Sequence, residues 1–153
     1  MPQSLSAVFV HLIFSTKNRD PLLTPRPLAM DTHSYLAGIS SRLDCHPVLI
    51  NGVEDHVHLL VQLSRTVTQA DLVKELKRAS TLWLREQSPS TAAFSWQSGY
   101  GIFSVSVSNL DQVCAYISSQ EEHHRKVTFQ EELRLFLQRH QLEWEEDYKN
   151  FHE

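Results

Sequence analysis

The sequence predicts an α+β fold of the ferredoxin-like type: a β-α-β-β-α-β antiparallel sheet with helices on one face, plus two C-terminal helices. Three observations carry this prediction. Four segments are rich in β-branched and aromatic residues, two amphipathic segments with helical periodicity separate them, and a short polar link joins the two middle strands.

The first strand is predicted over residues 5–15. Its apolar residues occupy both alternating faces, which is typical of a strand in the middle of a covered sheet. After a polar loop, Pro25 and Pro27 lead into a helix over about residues 28–43, where apolar residues recur at helical spacing. We therefore expect a buried central strand followed by an amphipathic helix.

A hairpin is predicted next, because residues 47–52 and 56–63 both have strand composition and only a short link separates them. A capping pattern at Thr68 then opens a helix that runs to about residue 86, and residues 102–107 alternate as a fourth strand. Trp96 and Tyr100 lie before that strand. Such aromatic residues can stack on nucleobases, although packing over the end of a sheet is their commoner use.

Two further helices are predicted, one over residues 110–124 and one opening at Thr128. The second has an apolar face of Leu133, Phe136 and Leu137. Residues 143–153 are acidic and aromatic, and no element is predicted for them.

Length and composition indicate one ordinary globular domain. The chain has 153 residues, of which 41% are hydrophobic and 21% charged. We expect a single domain over residues 1–153, with a core of about residues 5–140 and an acidic tail at 141–153. No apolar run could span a membrane and the N-terminus does not resemble a signal peptide, so we expect no membrane partner and a cytoplasmic location. Cys45 and Cys114 have no metal-binding spacing and are predicted to be free thiols.

The formal net charge of −4 argues against a strongly basic nucleic-acid-binding protein, but the charges are unevenly distributed. Residues 1–128 contain 11 Lys or Arg and 11 Asp or Glu, whereas residues 129–153 contain 3 and 7. The body of the protein is therefore neutral and can present a basic face. The helix after Thr68 has such a face opposite its apolar stripe, although a merely solvated helix face has the same pattern.

His56 and His58 stand one residue apart at the start of an apolar run. In a strand both point to the same side, while Val57, Leu59 and Val61 point to the other. Two imidazoles suit several divalent metals, but a working site needs a third ligand from elsewhere in the fold. Two histidines alternating on an exposed strand face would give the same pattern.

Tyr116 and Gln120 are neighbours, four residues apart, on the helix predicted over residues 110–124. They lie a quarter-turn or more away from the apolar side formed by Leu110, Val113 and Ile117. Alone, they fit a half-buried tyrosine and a solvated glutamine.

Five runs, HLIFSTKNR, GVEDHVHLLV, LVKELKRAS, WQSGYGIFSVSVS and YISSQEEHH, follow one another within residues 5–137. In this order and spacing they resemble the HUH single-tyrosine transposases of the smallest insertion sequences and their REP-associated relatives. The resemblance implies that His56, His58 and Gln120 are metal ligands and that Tyr116 is the catalytic nucleophile. It also implies a homodimer that cuts and rejoins single-stranded or hairpin DNA with Mg²⁺ or Mn²⁺ and needs no nucleotide cofactor.

The chemistry agrees with these residue types. A phenol with a pKa of about 10 is a weak nucleophile at neutral pH, so a nearby cation is needed to polarise the scissile phosphate. The covalent 5′-phosphotyrosine stores the bond energy for rejoining, which removes the need for ATP. The resemblance also implies composite sites, in which the histidines of one subunit meet Tyr116 of the other. This is feasible because the catalytic face of the helix is turned away from its apolar stripe.

Candidate DNA-phosphate contacts are the basic residues of the helix face and of two loops. They are Lys17, Arg19, Lys74, Lys77, Arg78, Arg85, Arg125 and Lys126.

The alternative function is a non-cleaving DNA-hairpin-binding protein of the same fold. A metal-dependent phosphohydrolase that activates water and a ferredoxin-like small-molecule sensor are further alternatives. A binder has no need of both histidines, the tyrosine and the glutamine together, which favours the enzyme. The sequence leaves open the DNA target, the metal, and whether the protein mobilises an element or acts on fixed repeats.

Overall fold

A computed structural model describes residues 4–142, and its centre is a four-stranded antiparallel sheet. The strands are β1 (Phe9–Ser15), β2 (His46–Gly52), β3 (His56–Gln62) and β4 (Gly101–Val105). They lie in the order β2-β3-β1-β4, so β1 is central and β4 is an edge. The predicted α+β class, the β-α-β-β-α-β order of elements along the chain and the hairpin are confirmed.

Five α-helices lie within residues 4–142. They are α1 (Arg26–Arg42), α2 (Gln69–Arg85), α3 (Leu110–Ser118), α4 (Gln120–His123) and α5 (Phe129–Arg139). The side chain of Thr68 accepts a hydrogen bond from the amide of Asp71 at the start of α2, and Thr128 forms a full capping box with Glu131 at the start of α5. The capping residues therefore set where these two helices begin.

Helices cover both faces of the sheet. On one face, Leu12, Val57 and Leu59 pack with Leu36 of α1 and Leu76 of α2. On the other face, β1 and β4 pack against α5 through a smaller cluster of Ile13, Phe103, Phe129, Leu133, Phe136 and Leu137, with Tyr116 of α3 at its margin. Strand alternation places His56 and His58 on this second face. The C-terminal helices thus form a second layer over the histidine pair, beyond the single helical layer that was expected.

Three predicted boundaries are wrong. Strand β4 ends at Val105 rather than residue 107, because Val107–Asn109 form a 3-10 turn that leads into α3. Strand β1 begins at Phe9 rather than residue 5, because Phe9 already pairs with Gln62 and Val105, the last residues of β3 and β4. The helix predicted over residues 110–124 is interrupted at Ser119, whose φ and ψ are −97° and 19°. There the carbonyl of Tyr116 accepts from the backbone amide of Ser119 at 3.3 Å, from the Ser119 hydroxyl at 3.1 Å and from the side-chain amide of Gln120 at 3.3 Å.

Other expectations concern the cysteines, the aromatic loop and the termini. Cys45 and Cys114 are both free thiols, as predicted. Trp96 is buried in the core and donates to the hydroxyl of Ser80 at 2.9 Å, so it packs rather than stacks on a ligand. Among the described residues, no helix is both long and apolar enough to cross a membrane. Of the predicted acidic tail at residues 141–153, residues 143–153 lie outside the described residues.

Candidate active site

His56 and His58 are fully buried beneath α5, and their ring nitrogens converge on one carboxylate. Nε2 of His58 lies 2.9 Å from Oε1 of Glu132, and Nε2 of His56 lies 3.4 Å from the same oxygen. The two rings lie on the same side of β3, as strand alternation predicts, and both direct Nε2 to the same carboxylate oxygen. This is the geometry that two imidazoles need in order to bind one ion.

The opposite nitrogen of each ring is also held. Nδ1 of His56 lies 2.7 Å from Oδ1 of Asp55, and Nδ1 of His58 lies 2.8 Å from Nε2 of His11. Such contacts fix the orientation and tautomer of a metal-binding imidazole. The two halves of the clamp therefore differ, because a carboxylate holds one ring and an imidazole holds the other.

Glu132 belongs to the candidate site and was missed by the sequence analysis. It is only 1% exposed and lies in the first turns of α5, where Phe129 and Phe136 hold the helix against the sheet. Besides the strand histidines, its carboxylate contacts Nε2 of His124 at 3.1 Å, Nε2 of His123 at 3.3 Å, and the hydroxyl of Tyr116. A carboxylate within the apolar stripe of an amphipathic helix is the sequence signal that could have found it.

The donor set suits a divalent transition ion. One ligand atom from each of His56, His58, His124 and Glu132 lies within 4.8 Å of all the others. Gln120, the predicted third ligand, is fully buried, and its Oε1 has no hydrogen-bond partner within residues 4–142. A buried carbonyl oxygen without a partner is costly unless something binds it, so Gln120 also fits a ligand role. Neutral imidazoles together with one carboxylate are typical of Mn²⁺, Fe²⁺ or Zn²⁺ sites rather than of Mg²⁺, which prefers oxygen ligands.

Tyr116 lies inside this group in a single chain. Its hydroxyl donates to Glu132 and lies 3.3 Å from Nε2 of His123, and its ring centroid is 5.8 Å from that of His58. Tyr116 therefore lies beside the histidines of its own chain. Its α3 packs back over its own sheet rather than projecting beyond it.

Two contacts fix the position of α3 and α4. The side-chain amide of Asn51 on β2 donates to the carbonyl of Ile117 at 2.9 Å, and Arg26 donates to Oδ1 of the same asparagine at 2.9 Å. Arg26 also forms an ion pair with Glu121 of α4 at 3.0 Å. The helix with the tyrosine is thus tied to β2 and α1, which places Tyr116 and Gln120 over the histidine strand.

The buried charges divide the site into a cationic and a neutral half. Burial opposes the charged form of His56, but its hydrogen bonds to Asp55 and Glu132 outweigh this and raise its pKa to about 9. For His58 burial dominates and lowers the pKa to about 4. Hydrogen bonds from His124, His56 and His58 hold the pKa of Glu132 well below its usual range despite burial. Burial and the charge of Glu132 raise the pKa of Tyr116 above its ordinary value.

The candidate DNA-contact residues fall into two groups on opposite sides of the sheet. Arg19 and Arg125 each line a surface depression that also includes His124, one of about 370 Å³ and one of about 290 Å³. Lys17 and Lys126 are exposed next to them in sequence. The backbone of Arg19 has a φ of 55°, a left-handed conformation that is uncommon for arginine.

The second group lies on α2, which packs on the face away from the histidines. Lys74 is exposed, and the exposed Arg78 pairs with Glu75. Lys77 donates to the carbonyls of Gln97 and Gly99, and Arg85 donates to the carbonyl of Phe94. Lys77 and Arg85 thus anchor the loop before β4. Of the predicted basic stripe, these two side chains therefore already donate to backbone carbonyls of the same chain.

The sequence of this chain matches one known protein family. Residues 4–120 match the family of IS200-like transposases. No curated protein is significantly similar to this chain in sequence.

Two solved structures are similar to this fold. One is a candidate transposase from Deinococcus radiodurans, with 26% identity, a TM-score of 0.61, and coverage of 78% of this chain and 95% of that chain. The other is a REP-associated tyrosine transposase bound to a REP hairpin, with 12% identity, a TM-score of 0.59, and coverage of 83% of this chain and 74% of that chain. At 12% identity the second likeness concerns the fold alone.

Proposed function

The chain belongs to the family of IS200-like transposases, and we propose that it cuts and rejoins single-stranded DNA through Tyr116. The observation that carries this proposal is the hydrogen bond from the Tyr116 hydroxyl to the carboxylate of Glu132. The same carboxylate also faces Nε2 of both strand histidines. Nucleophile and metal ligands thus share one buried cluster.

The proposed reaction is a reversible phosphoryl transfer. The phenol oxygen of Tyr116 forms a bond to phosphorus, and the bond from phosphorus to the 3′-oxygen breaks. The phenol loses its proton and the departing 3′-oxygen gains one. The products are a 5′-phosphotyrosine and a free 3′-hydroxyl, and attack by another 3′-hydroxyl on the phosphotyrosine reverses the step and joins strands.

We propose that His56, His58 and Glu132 hold a divalent ion, with His124 and the free oxygen of Gln120 as further donors. When bound, the ion would polarise the scissile phosphate and stabilise the departing oxygen. Because three donors are imidazoles, Mn²⁺ should bind more tightly than Mg²⁺. Tyr116 needs such a cation nearby, since burial and Glu132 both keep its proton in place.

Single-stranded or hairpin DNA is the proposed partner. Arg19 and Arg125 flank His124, the member of the histidine cluster nearest the surface depressions, and are placed to bind phosphates beside the site. Lys74 and Arg78 lie on the opposite side of the sheet and would contact a separate part of the DNA, such as the stem of a hairpin. The REP hairpin bound by the similar tyrosine transposase motivates this partner.

The test is to incubate labelled single-stranded hairpin DNA with the protein and Mn²⁺ and to look for a covalent adduct after denaturation. We expect an adduct with the natural chain and none with Tyr116→Phe. Tyr35→Phe is the matched control, because Tyr35 stacks on Trp83 on the other side of the sheet. Hairpin binding without an adduct would favour the non-cleaving binder, and cleavage that survives in Tyr116→Phe would favour hydrolysis by water.

We also propose a homodimer, for which the edge strand β4 offers unpaired main-chain groups. Analytical ultracentrifugation of the natural chain measures whether it is a dimer in solution. Mixing a His56→Ala, His58→Ala chain with a Tyr116→Phe chain tests where the sites lie. Because the histidines and Tyr116 of one chain lie together, we expect the mixed dimers to show no cleavage. Recovery of cleavage would show that the subunits exchange their tyrosines.

A further inference from the structure

His11 is a histidine within the apolar middle of the sheet. It lies on the central strand β1, is 1% exposed, and its ring packs edge-on against Phe136 with centroids 4.9 Å apart. Its side chain shares the second face of the sheet with His58, and the two rings meet at 2.8 Å between Nε2 of His11 and Nδ1 of His58. His58 pairs with Ile13 across the strands, so His11 is its diagonal neighbour.

A neutral imidazole has one N–H and one lone pair, and this limits what His58 can do. For Nε2 of His58 to bind an ion, its proton must be on Nδ1. That N–H then points at Nε2 of His11, which must accept it, so the proton of His11 lies on its own Nδ1. The distance of 2.8 Å is that of a good hydrogen bond.

We propose that His11 is the positioning residue of the metal site: by accepting the Nδ1 proton of His58, it fixes the tautomer and ring orientation that present Nε2 to the ion. This role rests on the proposed metal-dependent function. It is the counterpart of Asp55, which holds His56 in the same way from the other half of the clamp.

Packing alone does not require a histidine at this position. Phenylalanine has similar shape and would fit the aromatic surroundings of Phe103 and Phe136. His11→Phe would remove the acceptor and leave the Nδ1 proton of His58 buried without a partner. In the metal-free chain the proton of His58 can instead lie on Nε2, facing Glu132 at 2.9 Å. The substitution should therefore weaken metal binding more than folding.

The test measures Mn²⁺ binding by calorimetry on the full chain. We expect His11→Phe to weaken binding about 10- to 100-fold, the range found for lost partners of metal-binding histidines. His11→Gln and His11→Met form a matched pair of nearly equal shape, in which the Gln oxygen can accept the proton and the Met sulfur is a weak acceptor. Gln should restore most of the affinity and Met should not, which keeps the test valid should the Phe variant not fold.

A control and a spectroscopic measurement separate positioning from general stability. His33→Phe replaces another buried histidine, on α1 at the opposite face of the sheet, and should leave Mn²⁺ affinity unchanged. Imidazole ¹⁵N spectra with Zn²⁺ should show the Nδ1–H tautomer of His58 in the natural chain and a loss of that single tautomer in His11→Met.

Equal Mn²⁺ affinity in the natural chain and His11→Met would overturn the role of His11 while leaving the metal site intact. Equal loss in the Gln and Met variants would also overturn it. Failure of the natural chain itself to bind Mn²⁺ would refute the proposed metal site, and the role of His11 with it.

Discussion

Glu132→Gln is the substitution that examines the site most directly, because it removes one charge with almost no change of shape. In the metal-free chain at pH 7, His56 is positively charged, since Asp55 and Glu132 raise its pKa to about 9 against the effect of burial. Removing one partner of a buried ion pair costs roughly 3–5 kcal/mol. Asp55 remains 2.7 Å from His56, so we expect the lower end, a loss of about 3 kcal/mol in the free energy of unfolding.

The same substitution should reduce the stabilisation by metal. A ligand that binds the folded state adds about 2.7 kcal/mol at a concentration 100 times its dissociation constant. Urea unfolding with EDTA, and then at the Mn²⁺ concentration giving that gain in the natural chain, measures both effects. In Glu132→Gln the gain should fall below about 1 kcal/mol if affinity drops 100-fold or more. An unchanged gain from Mn²⁺ would show that Glu132 does not bind the ion. The control is Glu122→Gln, since Glu122 is an exposed carboxylate on α4.

Three further predictions follow from the described contacts. Gln120→Leu should raise the unfolding free energy of the metal-free chain by about 1 kcal/mol, because the substitution removes a buried oxygen that has no partner within residues 4–142. It should also reduce the stabilisation by Mn²⁺. Urea unfolding with EDTA and with Mn²⁺ measures the two effects. Replacing Lys74 and Arg78 by Ala should reduce the dependence of hairpin affinity on salt without abolishing cleavage, as filter binding across salt concentrations would show. His33 has a pKa lowered to about 4, chiefly by burial and then by Arg26, so unfolding free energy should fall as pH drops from 6.5 to 4. His33→Leu should remove up to about 3 kcal/mol of that fall, measured by urea unfolding at each pH.

The fold was largely predictable, because local patterns decide most of it. Strand β1 is apolar on both faces and lies in the middle of the sheet, and Thr68 and Thr128 begin α2 and α5 as their side chains require. The errors lie where tertiary structure decides. Residues 5–8 have strand composition, but they lie beyond the paired residues of β1. There the amide of Leu63 donates to the carbonyl of Val8 at 2.7 Å and the side chain of Gln62 donates to the carbonyl of Ser6 at 3.3 Å, while Leu5 is 96% exposed.

The candidate site was predictable in part, because only some of its members have a local signal. His56 and His58 lie on one side of β3 by strand alternation, and Tyr116 and Gln120 were identified by the resemblance to a family. Glu132 contacts His58 across 74 positions of sequence, and that contact exists only because α5 folds over the second face of the sheet. No pattern within α5 specifies which face of the sheet it covers.

The orientation of an amphipathic helix alone does not decide whether its side chains contact their own chain or another subunit, as the position of Tyr116 on α3 shows. The catalytic side of α3 is turned away from its apolar side, which suggested that it projects toward another subunit. The structure instead supplies a second apolar surface, since Phe136 of α5 packs against Tyr116 with ring centroids 5.5 Å apart. Asn51 then holds α3 from the opposite side, and Arg26 holds the adjoining α4. Because α5 and β2 both contact it, α3 is retained over its own histidines, and the tyrosine, the carboxylate and the imidazoles meet in one chain.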